Sequence, residues 1–160
     1  MTRVSAGLMM YRIVDGELEV LLVHPGGPFY RHKDDGVWTI PKGELTKDEA
    51  PLAAAEREFT EETGFVPAPP YLPLSDVRTR GGKLIHAWAF EGNCDPAALV
   101  SNTVTIEWPP KSGRREQFPE VDRAAFLGLL VASQKIHPAQ RPWLDELAEH
   151  LRHEGNHTDP

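Results

Sequence analysis

Between positions 42 and 65 the chain carries seven acidic residues and only three basic ones. No other segment restricts the fold as tightly. From Pro51 to Gly64 it reads as a helix, opened by a proline at the first position, where its missing N–H does no harm, and closed by a left-handed glycine. Thr46 with Glu49 offers an earlier start as a capping box, but that would put Pro51 inside the helix. On the shorter helix Leu52, Ala55 and Phe59 make an apolar stripe that must bury against a sheet. Glu58, Glu61 and Glu62 crowd the neighbouring side.

Like charges three and four residues apart repel by a few tenths of a kcal/mol, about 0.2–0.5 per pair. Arg57 can offset part of this by pairing with Glu61, but one guanidinium does not satisfy three carboxylates. A hard divalent cation such as Mg²⁺ does, since it takes oxygen ligands. The plain alternative is a solvated acidic helix face. Three glutamates alone leave both readings open.

The full spacing is more specific. It runs Gly43, five residues, Glu49, seven residues, Arg57-Glu58-Phe59, one residue, Glu61-Glu62, one residue, Gly64-Phe65. These residues resemble the Nudix box, the signature of the Nudix hydrolase superfamily, at every defining position. A chance match in a chain this long is rarer than about one in ten million at average residue frequencies. The resemblance implies an α/β (α+β) fold, with a mixed sheet in an α/β/α sandwich. It also implies Mg²⁺-dependent hydrolysis of a phosphoanhydride, with Mn²⁺ as a possible substitute. The expected substrate is a nucleoside polyphosphate, either a dinucleoside polyphosphate or an NTP. Alternatives are a nucleoside diphosphate linked to a sugar, or a non-catalytic nucleotide-sensing module, against which the intact glutamates argue.

Roles follow from the resemblance, position by position. Glu58 and Glu62 are the expected principal metal ligands, with Glu61 holding a further ion or orienting the water, and the main-chain carbonyl of Lys42 facing the same site. Arg57, with Glu49, is expected to position the glutamates. Glu116 is the expected general base and additional ligand, four residues ahead of Glu120, which is read as structural. Lys42, Lys83, Arg114 and Arg115 are the expected phosphate contacts, Lys42 and Lys83 first among them. Phe29, Tyr30, Trp88 and Trp108 are possible base-stacking platforms, though packing is the simpler reading for each. The stretches Leu22-Val23-His24-Pro25-Gly26-Gly27-Pro28-Phe29 and Glu107-Trp108-Pro109-Pro110-Lys111-Ser112-Gly113-Arg114-Arg115 resemble a bacterial branch of predicted NTP pyrophosphohydrolases.

The remaining sequence agrees with one domain over residues 1–153 and a frayed tail over 154–160. Strands are expected at residues 4–14, 18–23, 37–40, 72–79, 84–90, 104–108 and 120–126, with an Asp15-Gly16 hairpin turn. Residues 129–152 should be helical with breaks near Pro138 and Pro142, and 24–36 form a long loop. A net charge of −7 disfavours nucleic acid and anionic membranes as partners. A single cysteine excludes an intrachain disulfide, and no apolar run is long enough for a membrane span. The expectation is a cytoplasmic enzyme, monomer or homodimer, with a small-molecule nucleotide substrate.

Overall fold

The computed structural model describes residues 3–157, with side chains followed as far as Glu154. Its elements are β1 (Val4–Val14), β2 (Glu17–Pro25), β3 (Lys42–Glu44), α1 (Pro51–Thr63), β4 (Leu72–Pro73), β5 (Val77–Arg78), β6 (Leu84–Glu91), β7 (Thr103–Glu107), β8 (Arg115–Pro119), β9 (Val121–Gly128), α2 (Leu129–Lys135) and α3 (Pro142–His157). Short 3-10 turns occupy Pro96–Ala98 and Pro138–Gln140.

β1 organises the sheet. Its far half turns back into β2 through Asp15 and Gly16, both at positive φ (52° and 81°), the backbone a two-residue hairpin demands. Its near half pairs antiparallel with β3, and its other edge runs parallel to β6 from Val4↔Leu84 to Tyr11↔Glu91. The sheet order is β4-β6-β1-β2-β9, with β3 beside β1 and β5 beside β6. Alternation along β1 then builds two cores. Ala6, Leu8 and Met10 pack with Ala54, Ala55 and Phe59 of α1. Met9 faces the opposite core with Ala132 of α2 and Trp143, Leu144 and Leu147 of α3. The result is a mixed sheet between helical layers.

Four expectations change. Residues 37–40 make isolated bridges rather than a strand, because Thr39 and the Ile40 amide turn to the Gln140 side chain and Trp38 bonds Lys135 and His137. The single strand expected over 72–79 is two short pieces. Between them Ser75 bends towards α3, where Glu146 accepts its amide and Trp143 donates to its carbonyl. Arg115–Pro119 forms an unexpected strand, pairing with β7 in a separate two-stranded arm whose half-buried side chains include Ile106 and Phe118. Finally, α3 continues to His157, so residues 154–157 of the expected tail are helical, while 158–160 lie outside the described residues.

Candidate active site

α1 starts at Pro51 with an extended Ala50 ahead of it and no side-chain cap. Glu49 instead folds back onto the preceding turn, accepting from the Thr46 amide (3.0 Å) and hydroxyl (3.1 Å). Its carboxylate also receives Arg57 Nε (2.9 Å) and Nη2 (3.0 Å). Arg57 donates further to Glu58 (2.8 Å), Glu61 (3.1 Å) and the Glu44 carbonyl (3.1 Å), so every N–H of its guanidinium is engaged. The Arg57 contact, seconded by the Thr46 amide, lowers the Glu49 pKa to about 2. Arg57 therefore ties the box's loop to its helix and fixes the rotamers of two carboxylates.

Glu58 and Glu62 are buried, at 8% and 3% exposure, which is rare for glutamate unless something compensates. Burial raises the Glu58 pKa against the opposing pull of Arg57, and Glu61 and Glu120 add to the rise. Burial raises Glu62 well above the ordinary carboxylate range, and Glu120 and Glu58 reinforce it. The Lys42 ammonium and backbone amide pull the other way. Gly43 has no room for a side chain, since a Cβ there would lie 2.1 Å from the Glu58 carboxyl carbon. The glycine lets the carboxylate rest directly on the β3 backbone. Lys42 is itself desolvated, and with Lys83 close by its pKa falls despite Glu62, Glu120 and Glu58.

Lys42, Gly43, Glu58, Glu61, Lys83 and Glu120 are among the residues lining one cavity of about 370 Å³, and the buried Glu62 stands outside that lining. Glu120 sits at the bend between β8 and β9, held by main-chain bonds on both sides. Its amide donates to the Asn102 carbonyl (2.9 Å), and its carbonyl accepts from the Gly26 amide (2.8 Å). The Asn102 amide in turn donates to the Glu61 carbonyl near the end of α1 (2.8 Å). A relay of backbone hydrogen bonds thus joins the carboxylate helix, the Glu120 bend and the start of the 26–36 loop.

The structure does not bring Glu116 to this cluster. It lies on β8 opposite Ile106, exposed and 4.0 Å from Arg114. Arg114 and Arg115 stand with it on the projecting arm, away from the cavity lining. Lys42 and Lys83 do line the cavity, and Glu120, read from sequence as structural, is the glutamate that faces Glu58 and Glu62. The signal was the pair of glutamates four apart. Choosing between them required the β7–β8 pairing, which an apolar pattern with only Phe118 in Arg115–Pro119 conceals. Of the aromatic candidates, Phe29 and Trp108 pack edge to face at 5.5 Å, and Trp88 packs partly buried against the α1 core.

The donor set suits a hard cation. It supplies carboxylate oxygens in excess of their counter-charges, partly desolvated, and a glycine cradle holds one of them. Among the described residues, no three potential ligands already converge on one point. Glu58 and Glu61 are turned onto Arg57, and a cation would compete with the guanidinium for them.

A carboxylate-rich helix laid on a mixed sheet, with lysines across the same cavity, defines a class. A family model of the NUDIX domain matches residues 1–147, and the chain belongs to the Nudix family, as a pyrophosphohydrolase. Solved structures share the fold. The Ap4A hydrolase of C. elegans in a binary complex is 21% identical with a TM-score of 0.64, covering 94% of this chain and 98% of its own. The NUDIX domain of Shewanella oneidensis NrtR, complexed with ADP ribose, is 19% identical with a TM-score of 0.63, over 94% and 88%. A mutT/nudix family protein from Listeria innocua is 16% identical with a TM-score of 0.62, over 98% of each chain. No curated protein matches the chain by sequence.

Proposed function

We propose that this chain hydrolyses a phosphoanhydride bond of a nucleoside polyphosphate, a dinucleoside polyphosphate or NTP, with Mg²⁺ held by Glu58, Glu61 and Glu62. The observation that carries this reading is the shared cavity, with carboxylates on one wall and Lys42 and Lys83 on another. The structural neighbours include proteins described with Ap4A and with ADP ribose, which supports a nucleotide derivative as substrate. At about 370 Å³ the cavity suits a polyphosphate chain, leaving the nucleoside ends to flanking surfaces.

When bound, Mg²⁺ neutralises non-bridging oxygens and makes water a better nucleophile at neutral pH. The chain's own groups do the rest. Lys42 and Lys83 hold phosphate oxygens and orient the chain, and Arg57 sets the rotamers of Glu58 and Glu61. Glu120 replaces Glu116 as the group beside the cluster able to take a proton from the attacking water. Glu61→Gln and Glu62→Gln should each abolish Mg²⁺-dependent turnover while circular dichroism remains that of the native fold. Near-normal turnover in both variants would sink the assignment. A panel of NTPs, dinucleoside polyphosphates and nucleotide sugars, with products identified by mass, tests the substrate class.

A further inference from the structure

A second cavity, of about 650 Å³, opens beside the first. Its walls are Arg78, Thr79, Arg80 and Gly81 on one side and His137, Pro138 and Ala139 on the other. No carboxylate lines it, in a chain whose net charge is −7. Among the described residues neither Arg78 nor Arg80 has an acidic partner within salt-bridge reach, nor any side-chain hydrogen bond. The Arg57 guanidinium, by contrast, is fully engaged.

His137 adds a third donor of fixed sense. Its Nδ1 accepts the Ala139 amide (3.1 Å), which obliges a neutral imidazole to carry its proton on Nε2. Two unpaired guanidiniums and an imidazole N–H around an open cavity are the chemistry of phosphate recognition.

The two cavities share a wall. Residues 79–83 form one tight turn, closed by the Thr79 amide on the Lys83 carbonyl (2.9 Å) and the Gly82 amide on the Thr79 carbonyl (3.0 Å). Lys83 borders the carboxylate cavity, while Thr79, Arg80 and Gly81 border the basic one. Gly81 and Lys83 are two residues apart, so their Cα atoms lie within about 7.6 Å. A chain of several phosphates can therefore have one anhydride at the carboxylates and its far end beyond the turn.

We propose that the Arg78–Arg80–His137 cavity is a second phosphate subsite, gripping the end of the polyphosphate remote from the carboxylates. This rests on the polyphosphate reading of the first cavity and sharpens it, because it selects long phosphate chains over diphosphate-bridged substrates.

The test separates the two claims. Inorganic tripolyphosphate is titrated calorimetrically into the full chain in EDTA, where no metal bridges phosphate to the carboxylates and binding that depends on Arg78 and Arg80 reports the basic cavity. The doubly substituted Arg78→Gln/Arg80→Gln chain should bind roughly tenfold more weakly or worse, through loss of charge-assisted bonds. Arg152→Gln, on the distant end of α3, should bind as the unsubstituted chain does and controls for bulk charge. Equal tripolyphosphate affinity in the doubly substituted and unsubstituted chains overturns the subsite.

With Mg²⁺ present, the same double substitution should raise KM for diadenosine tetraphosphate while kcat holds, and raise it less for ADP-ribose. Weakened tripolyphosphate binding with unchanged KM for both substrates would mean that the cavity takes a free phosphate ligand, and would overturn its assignment to the substrate. Intact, arginine-dependent tripolyphosphate binding in a chain that hydrolyses no polyphosphate would overturn the function reading, and with it the assignment of this phosphate site to the substrate.

Discussion

His24 is completely buried, yet both its ring nitrogens face acceptors. Nδ1 lies 2.8 Å from the Asp122 carboxylate and Nε2 2.7 Å from the Lys33 carbonyl. His24 therefore ties the 26–36 loop to β9 through one contact from each ring nitrogen. His24→Ala should loosen that anchor and speed amide hydrogen exchange across residues 26–36. Unchanged exchange there would refute this. Glu49 makes a second prediction, with a definite sign. Its folded-state pKa is lowered to about 2 from the ordinary glutamate value of 4.5. The Arg57 contact therefore stabilises fully above pH 4.5, and that contribution is lost as pH falls through about 2. The Tm difference between the unsubstituted chain and Glu49→Gln should be constant from neutrality down to about pH 5 and vanish near pH 2, as followed by thermal melts. A difference that persists undiminished at the acid end would remove Arg57 as its cause.

At the scale of elements, two glycines separate catalysis from folding. Gly43→Ala pushes only against the Glu58 side chain, which can swing aside. The fold should survive, with kcat/KM falling by about a hundredfold because the proposed metal ligand is displaced. Gly26→Ala instead drives a Cβ to 2.0 Å from the backbone carbonyl oxygen of Pro119. Backbone cannot step aside so cheaply, so Gly26→Ala should lose roughly 1–3 kcal/mol in denaturant unfolding as well as activity. Finding the reverse order of stability loss would contradict the geometry. The same scale shows why some elements were legible in sequence and others were not. β1, its hairpin turn and α1 follow from alternation, paired turn residues and the Pro51–Gly64 punctuation, which are all local signals. Residues 37–40 and 72–79 depart from expectation because Gln140, Glu146 and Trp143, far along the chain, take hydrogen bonds that a ladder would have used. The helix carboxylates were readable for the same reason as α1. Glu120 was not, because its place depends on the arm formed by β7 and β8.

Across the whole molecule, the sheet separates two cores with different burdens. The α1 core carries the site on its rim, whereas the other is closed by Trp143, fully buried, whose indole N–H donates to the Ser75 carbonyl. Trp143→Ala should cost about 3–5 kcal/mol of stability. At temperatures where the variant remains folded, turnover per folded molecule should stay near that of the unsubstituted chain. A selective loss of turnover without destabilisation would show that the two cores are not independent.

The relay from Glu61 through Asn102 and Glu120 to Gly26 is made wholly of main-chain groups. Apart from Gly26, where a Cβ would strike the Pro119 carbonyl, such bonds do not depend on which side chains flank them. The arm and the 26–36 loop can therefore be exchanged for those of a relative that keeps Gly26 and the β7–β8 register, without moving Glu120 from the carboxylates. For protein engineering, the chain offers a fixed carboxylate centre with replaceable flanking modules. The splice points are already marked, at Gly26, Asn102 and Glu120.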